Sequence, residues 1–354
     1  MSQIIPGLTR RRALYLMGGV AGGLTLHACT QSPEGSAPSA SAEASPSEPV
    51  KAANGSTLWI GYSPLYIAIE KGFFKEGGLD LEHKVFSSTG EGNAALAAGR
   101  IQSINNVTSE TVAFAAKGQD FRIVQVADTS LGGDGILARS SVADIADFKG
   151  RRVAVEIGSV SHFFLLQVLQ EAGLTGDDVE ITNVTPDAAA AAYTSGNVDI
   201  AVTYSPFLKQ ANNAQSDGRI IYDTSKMPTA IVDVYIFSTQ FVQENPQATE
   251  AFVKGIFKAH EFLKTNKDEA LAIVGKMLQL KPEEVEQELT GVGLTSAEDN
   301  LKMLDDPTSD IYLVDHMESL GQFLKAQNQI PEAPTADSLK ALIDPTFVKA
   351  AQAT

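Results

Sequence analysis

Cysteine is nearly absent from this sequence, because Cys29 is the only one in 354 residues. A single thiol excludes an internal disulfide and a cluster of thiolate metal ligands. Basic residues are also scarce, since 27 Lys and Arg stand against 43 Asp and Glu, for a formal net charge of −16. Such a surface repels DNA, RNA and anionic lipid, and no basic patch interrupts it. We therefore expect no nucleic-acid partner.

Signatures of an enzyme are missing as well. The segment Gly132-Gly133-Asp134-Gly135 is not followed by the Lys-Ser/Thr pair of a phosphate-binding loop. The sequence contains no nucleophile elbow and no spacing typical of zinc ligands, and its histidines are scattered. We expect no catalytic residue, no metal site and no cofactor.

The first 28 residues have the pattern of an export signal. Three arginines at positions 10–12 precede an apolar stretch from Ala13 to Leu26, which is shorter than the roughly 20 residues of a membrane-spanning helix. The segment Leu26-His27-Ala28-Cys29 resembles the lipobox of bacterial lipoproteins, in which the cysteine thiol receives a lipid. A plain signal peptide is the alternative, and Thr9–Arg12 also resembles a twin-arginine signal. We expect a signal peptide at 1–28 and a lipid anchor at Cys29, outside the cytoplasm.

Residues 29–55 are rich in Ser, Ala, Pro and Glu and contain few bulky apolar residues. A segment of this composition buries too little apolar surface to fold, so we expect a flexible tether. No later apolar run is long enough to cross a membrane.

From Thr57 onward, short β-type runs alternate with helical segments, beginning with a predicted strand at Thr57–Tyr62. The alternation restarts at Val153, and the chain after Pro246 is almost wholly helical. This pattern predicts two α/β units with mostly parallel sheets and a helical C-terminal tail. We expect lobe 1 at 56–138 and 235–354, lobe 2 at 139–234, and crossings near 139–143 and 229–234.

Several segments resemble the periplasmic binding proteins of the nitrate, sulfonate, taurine and pyrimidine-precursor group. They are Gly61–Ala68 with Lys71–Phe74, Ala95–Ile101, Asp147–Val155 and Gly196–Ala201. The resemblance covers about residues 57–270 and implies the two-lobed α/β fold of type II periplasmic binding proteins, with a hinge between the lobes. It also implies a monomeric, non-enzymatic solute-binding component that works with the permease and ATPase subunits of an ABC importer.

Three loops resemble more closely the binding proteins of importers associated with urea carboxylase and guanidine breakdown. They are 128–136, 156–163 and 203–206, although Tyr204 stands where tryptophan is expected. This resemblance implies guanidine or a similar small nitrogenous cation as the ligand. Taurine, another sulfonate, nitrate or a pyrimidine-like amide remain alternatives, as does a sensory lipoprotein without a transport role.

The predicted cleft loops contain acids but no Lys or Arg. Carboxylates suit a guanidinium ion, whose paired N–H groups match the two carboxylate oxygens, and an aromatic face adds cation–π attraction. An acid early in a helix also caps it, and the loops at Ser88–Gly90 and Gly158-Ser159 precede helices whose free N–H groups suit an anion. Trp59 lies inside the predicted first strand, which favours a core position. The predicted ligand-binding residues are Tyr62, Ser63, Ser88, Thr89, Glu110, Asp134, Glu156, Ser159, His162, Tyr204 and Asp233.

Overall fold

Residues 48–353 of the protein are described by a computed structural model. The strands in this range form two separate β-sheets. The predicted signal peptide, Cys29 and most of the predicted tether lie outside the described residues. In chain order the strands are β1 (Val50–Ser56), β2 (Leu79–Val85), β3 (Ser103–Val107), β4 (Phe121–Ser130), β5 (Asp134–Arg139), β6 (Arg152–Val155), β7 (Glu180–Asn183), β8 (Ile200–Tyr204), β9 (Gly218–Asp223), β10 (Val232–Ser238) and β11 (Val292–Leu294).

Helices fill most of the remaining described chain. The predicted helical tail is confirmed, interrupted only by the short strand β11. The helices are α1 (Ser63–Lys71), α2 (Phe73–Glu76), α3 (Thr89–Ala97), α4 (Thr108–Ala116), α5 (Val160–Glu171), α6 (Pro186–Ser195), α7 (Phe207–Ala214), α8 (Thr239–Glu244), α9 (Pro246–Thr265), α10 (Lys267–Leu278), α11 (Pro282–Leu289), α12 (Ala297–Asp305), α13 (Leu313–Ala326), α14 (Ala336–Lys340) and α15 (Thr346–Gln352).

The sheet of lobe 1 has the strand order β11-β4-β10-β3-β1-β2. Strand β1 pairs in parallel with β2 and β3, as expected for β-α-β units. Strand β10 lies between β3 and β4 and is antiparallel to both. The chain leaves lobe 1 along β4 and returns along β10, so these two strands run in opposite directions. The sheet is therefore mixed, and so is the sheet of lobe 2, whereas the sequence predicts mostly parallel sheets in both units.

The sheet of lobe 2 has the order β7-β6-β8-β5-β9, in which β6 is parallel to β7 and β8, and β5 is antiparallel to β8 and β9. The crossings between the lobes are at 131–133 and 224–231. The boundaries expected at 138/139 and 234/235 therefore fall inside or at the end of strands and need correction. Strand β5 was missed because Asp134-Gly135 has the composition of a turn.

Strand β1 also differs from the prediction, which placed residues 50–55 in the tether and the first strand at Thr57–Tyr62. The chain after Ser56 is instead a loop with a 3₁₀ turn at Ile60–Tyr62, followed by α1. The strand is polar in composition, and its Asn54 is fully buried and donates hydrogen bonds to the side chains of Ser103 and Asn105 on β3. These bonds satisfy the side-chain N–H groups of Asn54, whereas its buried Oδ1 has no hydrogen-bond partner among the described residues.

Helix α9 forms the main support beneath the sheet of lobe 1. Its Phe252 stacks on Phe74 of α2 with ring centroids 5.0 Å apart, and it meets Tyr235 and Phe237 of β10 edge to face at 5.1 and 5.0 Å. Such aromatic pairs add about 0.5–1.5 kcal/mol each beyond the area they bury. The central strand β10 is thereby held against the helical layer.

The outer edge of β4 is covered by the C-terminal tail. Strand β11 pairs with residues 128–130, and the tail bonds Ile123 through the backbone of Leu342 and Asp344. Between these points, the buried Asn300 of α12 acts like a neighbouring strand: its Oδ1 accepts the N–H of Val126 at 2.7 Å, and its Nδ2 donates to the carbonyl of the same residue at 3.0 Å. The tail thus protects an edge that would otherwise be open to pairing.

We expect Asn300→Leu to lower the free energy of unfolding by about 2–5 kcal/mol, because it leaves both backbone groups of Val126 buried without a partner. Urea unfolding measures the change. Asn213→Leu on the exposed side of α7 is the control and should have a small effect. Equal losses in the two variants would contradict this role of Asn300.

Candidate functional site

The two lobes enclose a cavity of about 20 Å³ in the cleft. Five of the predicted ligand-binding residues lie on its walls, so the structure brings together loops that are far apart in the chain. The lining residues are Thr57, Trp59, Tyr62, Thr89, Val107, Ile231 and Asp233 from lobe 1 and the second crossing, and Asp134, Val160 and Tyr204 from lobe 2.

The acids of the cavity are placed by the strands next to the crossings. Asp134 begins β5 and is paired with Tyr204, the last residue of β8. Asp233 of β10 is paired with Val107 of β3 on one side and with Asp128 of β4 on the other. The crossing strands of both lobes therefore deliver carboxylates to the same cleft.

Trp59 and Asp128 form a buried pair in lobe 1. The indole Nε1 donates to both carboxylate oxygens of Asp128, at 3.1 and 3.3 Å. Two glycines make room for this pair: a Cβ at Gly61 would lie 2.3 Å from Asp128 Oδ2, and one at Gly133 would lie 2.4 Å from the indole ring. Any larger residue at either glycine would displace the indole from the cavity wall.

Tyr62 and Asp233 form a second buried pair, in which the phenol donates to Asp233 Oδ1 at 2.6 Å. The phenol supplies one hydrogen bond, which leaves the second carboxylate oxygen for other partners. Both pairs use neutral donors, so neither cancels the charge of its carboxylate.

Glu110, in the first turn of α4, reaches across the cleft. Its Oε1 accepts the backbone N–H of Val160 at 3.1 Å, at the start of α5 in lobe 2. Its Oε2 is buried and has no hydrogen-bond partner among the described residues. One oxygen of this carboxylate is therefore bonded across the cleft and the other accepts no hydrogen bond, although the Thr89 hydroxyl lies close enough to the carboxylate to lower its pKa.

Burial dominates the electrostatics of these acids. Burial, and after it the neighbouring charge of Glu156, raise the pKa of Glu110 to about 8. Burial likewise raises the pKa of Asp128 to about 8 and the pKa values of Asp134 and Glu156 to about 7. The pKa of Asp233 is also raised, by burial first and then by Asp128. Among the described residues that line the cavity there is no Lys or Arg to offset these charges.

Three other predicted site residues use their side chains in bonds within their own loops. Ser63 donates to the carbonyl of Ile60, and Ser159 donates to the carbonyl of Glu156 at 2.8 Å. The ring Nδ1 of His162 accepts the N–H of Gly158 at 3.3 Å. These bonds hold the loops around the cavity in place, and they leave the three side chains little hydrogen-bonding capacity for a ligand.

Ser88 and Glu156 lie at the outer part of the cleft. Ser88 is the N-cap of α3, where its hydroxyl accepts the N–H of Glu91 at 3.2 Å. The hydroxyl of Ser88 also lies near the carboxylate of Glu156 and lowers its pKa, which partly offsets the increase caused by burial. This contact joins the two lobes.

The lobes also touch at two other places. Trp59 of lobe 1 and Tyr204 of lobe 2 meet edge to face, with ring centroids 5.9 Å apart and an interplanar angle of 89°. Lys209 of α7 donates to the carbonyl of Gln287 at 2.8 Å and lies 3.5 Å from Glu288 of α11. The structure is therefore a closed arrangement of the two lobes.

Sequence reasoning missed Thr57 and Asp128 and assigned Trp59 to the core. Trp59 is buried, as expected, but it also lies on the cavity wall. Because β1 ends at Ser56, residues 57–59 form the loop at the carboxyl end of a strand, where ligands of α/β proteins bind. A correct position for β1 would have identified Thr57 and Trp59 as candidates.

A larger cavity of about 530 Å³ lies on the outside of lobe 1, between β11, α12 and α13. Its Asp299 is engaged by Ser296 and Lys302. No buried side-chain atom that lacks a partner belongs to the residues around it, whereas the cleft contains the free Oε2 of Glu110. Size alone therefore does not identify the site, and we take the cleft as the candidate.

Comparison with known proteins gives the family context. The family model described as NMT1/THI5 like matches residues 59–270. The taurine-binding periplasmic protein of Escherichia coli (strain K12) is 30% identical over 202 residues, which are 55% of this chain and 61% of that protein. The chain thus spans less than two thirds of this relative.

Solved structures show the same fold. The alkanesulfonate-binding protein of Xanthomonas axonopodis pv. citri bound to MOPS has a TM-score of 0.68 at 19% identity, covering 84% of this chain and 99% of that chain. The periplasmic nitrate-binding protein of Synechocystis PCC 6803 has a TM-score of 0.69 at 18% identity, covering 86% and 89%. The predicted two-lobed binding-protein fold is confirmed. Within residues 48–353, no helix has both the length and the apolar character to cross a membrane.

The raised pKa values predict that the ligand-free protein loses stability as the pH rises. A carboxyl group whose pKa is higher in the folded state stabilises the fold below its unfolded pKa near 4, and loses that contribution as the pH passes its folded pKa. Desolvation lowers the pKa values of His83, His260 and His316 to about 4. These histidines act in the opposite direction, but only below about pH 6.5. Between pH 7 and 9 we expect the free energy of unfolding to fall by about 1–3 kcal/mol.

Urea unfolding at pH 7, 8 and 9 measures this slope. Glu110→Gln should make it shallower, because one carboxyl with a pKa of about 8 is removed. Glu180→Gln, on the exposed surface of lobe 2, should leave it unchanged. A flat profile in the parent protein would show that the cleft acids are ionised throughout this range.

Proposed function

Because the chain belongs to the NMT1/THI5-like family, we propose that it is the extracytoplasmic solute-binding component of an ABC importer, and that its cleft captures guanidinium or a similarly small, planar nitrogenous cation. The relatives described above are named as binding proteins, which supports a binding role rather than catalysis. The importer's permease and ATPase would be its partners. The ligand follows from the cleft itself.

The observation that supports a cationic ligand is the group of buried carboxylates without a basic neighbour in the cavity wall. Glu110, Asp134 and Asp233 are 6%, 3% and 2% exposed, and no Lys or Arg lines the cavity among the described residues. A buried carboxylate without a counter-charge is costly, and it responds by holding a proton. A bound cation removes that cost, because it supplies both the positive charge and the missing hydrogen-bond donors.

The shape of the cavity favours a small flat ion. Since one water needs roughly 10–15 Å³ measured in the same way, a cavity of about 20 Å³ admits only a ligand of very few heavy atoms. Trp59, Tyr62 and Tyr204 provide aromatic surface on its walls. Aromatic faces attract a desolvated cation by about 2 kcal/mol and do not compete for its N–H groups.

A sulfonate such as taurine is the second candidate, because relatives are named for taurine and alkanesulfonate. The two predicted anion-binding loops argue against it. The start of α5 already donates the N–H of Val160 to the carboxylate of Glu110, and the start of α3 lies beside Glu156. A sulfonate at either place would face a negative side chain in a buried setting, which costs affinity.

Calorimetry with guanidinium and taurine separates these ligands. We expect the parent protein to bind guanidinium and Asp134→Asn to weaken it by about 30-fold to several thousand-fold, since removing one partner of a buried charge pair costs about 2–5 kcal/mol. Asp177→Asn, an exposed acid of lobe 2, should leave the affinity unchanged. Binding of taurine with no loss in Asp134→Asn, or no binding of guanidinium by the parent, would reject the cation and favour the sulfonate.

We also propose that Cys29 attaches the protein to the outer face of the membrane, on the strength of the Leu26–Cys29 segment. Cys29→Ser should move the protein from the membrane fraction to the soluble extracytoplasmic fraction, because the lipid has no other site of attachment. Affinity for the ligand should not change. A variant that stays with the membrane would exclude a lipid anchor at this residue.

A further inference from the structure

Helix α5 lacks a side-chain cap from its own lobe. Ser159 occupies the N-cap position, but its hydroxyl donates to the carbonyl of Glu156 and accepts no helix N–H. The hydroxyl of the next serine, Ser161, is buried and has no partner among the described residues. Free N–H groups at a helix start need an acceptor, and the helix dipole favours a negative one.

Glu110 of lobe 1 supplies this acceptor across the cleft. Its Oε1 takes the N–H of Val160 at 3.1 Å, and a charged acceptor makes a bond roughly twice as strong as a neutral one. The bond joins α4 in lobe 1 to α5 in lobe 2, so it exists only while the lobes are closed. Opening the cleft would return both groups to water.

The second oxygen of Glu110 remains available. It is buried without a partner, and the residues next to it, Thr89 and Val160, both line the cavity. The other contacts between the lobes differ from this one. The edge-to-face pair of Trp59 and Tyr204 contains no acid. Glu288 also has a buried Oε2 without a hydrogen-bond partner, but Lys209 Nζ lies 3.5 Å from that oxygen and offsets its charge. Glu110 is thus placed to contact the ligand and the opposite lobe at once.

We propose that Glu110 couples the charge of the ligand to closure of the lobes: one oxygen caps α5 across the cleft, and the other binds the cation. This inference rests on the proposed function. A ligand shifts a conformational equilibrium only by its differential affinity for the two states, and Glu110 provides that difference. The cation keeps the carboxylate ionised in the closed cleft, and the ionised carboxylate is the stronger cap for α5.

Burial and the neighbouring acids explain why a cation is required. Burial first, and then the charges of Glu156 and Asp134, raise the pKa of Glu110 to about 8 and so favour its protonated form in the closed cleft. A protonated Glu110 is a weaker cap, because the negative charge at the helix start is lost. A neutral or anionic solute would leave this repulsion in place and would not secure closure.

Two variants distinguish the effect of the charge of Glu110 from the effect of its side-chain length. Glu110→Gln keeps the length and an oxygen acceptor but removes the charge. Glu110→Asp keeps the charge but shortens the side chain by one methylene, so that it no longer spans the cleft. Asp134→Asn is the matched control, because Asp134 is a cavity acid that caps no helix of the opposite lobe; its partner Ser130 lies four residues earlier in the chain, directly before the first crossing.

The experiment measures affinity and closure separately in the full chain with Cys29→Ser. Calorimetry gives the dissociation constant for guanidinium. Spin labels at Lys117→Cys in lobe 1 and Glu180→Cys in lobe 2, both exposed, report the distance between the lobes. Thermal unfolding of each variant verifies that it is folded.

We expect Glu110→Gln to lose at least 30-fold in affinity and to remain partly open even at saturating guanidinium. Glu110→Asp should lose less affinity but show the same incomplete closure. Asp134→Asn should lose affinity comparably and yet close fully once saturated. Full closure of both Glu110 variants at saturation, in a parent protein that binds guanidinium, would overturn the inference and leave the proposed ligand intact. A parent that fails to bind guanidinium would instead reject the proposed ligand, and the coupling with it.

Discussion

The desolvation of carboxylates in the cleft is the constraint on which the rest of the site depends. Glu110, Asp128, Asp134 and Asp233 are removed from water. Within residues 48–353, their direct hydrogen-bond partners are neutral donors such as the indole of Trp59 and the phenol of Tyr62. Neutral hydrogen bonds satisfy the oxygen lone pairs but leave the charge uncompensated. A buried carboxylate of this kind favours positive over negative charge in the adjoining cavity. This electrostatic argument does not depend on what related proteins bind.

The sheet topology explains why these acids converge. Asp128 and Asp233 are neighbours on β4 and β10, the strands along which the chain leaves and re-enters lobe 1. Asp134 is the first residue of β5, directly after the crossing. The covalent connection between the lobes and the candidate site are therefore made of the same strands. A rotation of one lobe about the crossings changes the distances between the acids, which ties ligand contact to lobe geometry without any intermediate element.

Much of the fold was predictable because its local patterns agree with its tertiary contacts. The largely helical chain after Pro246 was predicted and is observed. The acids at 110, 134, 156 and 233 were proposed as site residues from the pattern of the cleft loops. Strand β1 was not predicted, because Asn54 is polar and its partners Ser103 and Asn105 lie about fifty residues further along the chain. The role of Asp128 is equally non-local, since its pair with Trp59 requires glycines at 61 and 133 to leave space. The periodicity of apolar residues in a sequence indicates which positions are buried. It does not indicate which distant residue forms a hydrogen bond with a buried polar atom.

The position of β10 also dictates the order in which the chain can fold during synthesis. Strands β3 and β4 follow one another in sequence but are separated in the sheet by β10, which begins at residue 232. A growing chain that has reached residue 223 therefore contains all the strands of lobe 2 but only a gapped sheet for lobe 1. The outer edge of β4 stays open still longer, until residues 292–344 arrive to cover it. Lobe 2 is thus the first unit whose sheet can be completed, whereas the sheet of lobe 1 can be completed only after the C-terminal residues have been synthesised. The early strands of lobe 1 are therefore the part of the nascent chain that most needs protection from mispairing.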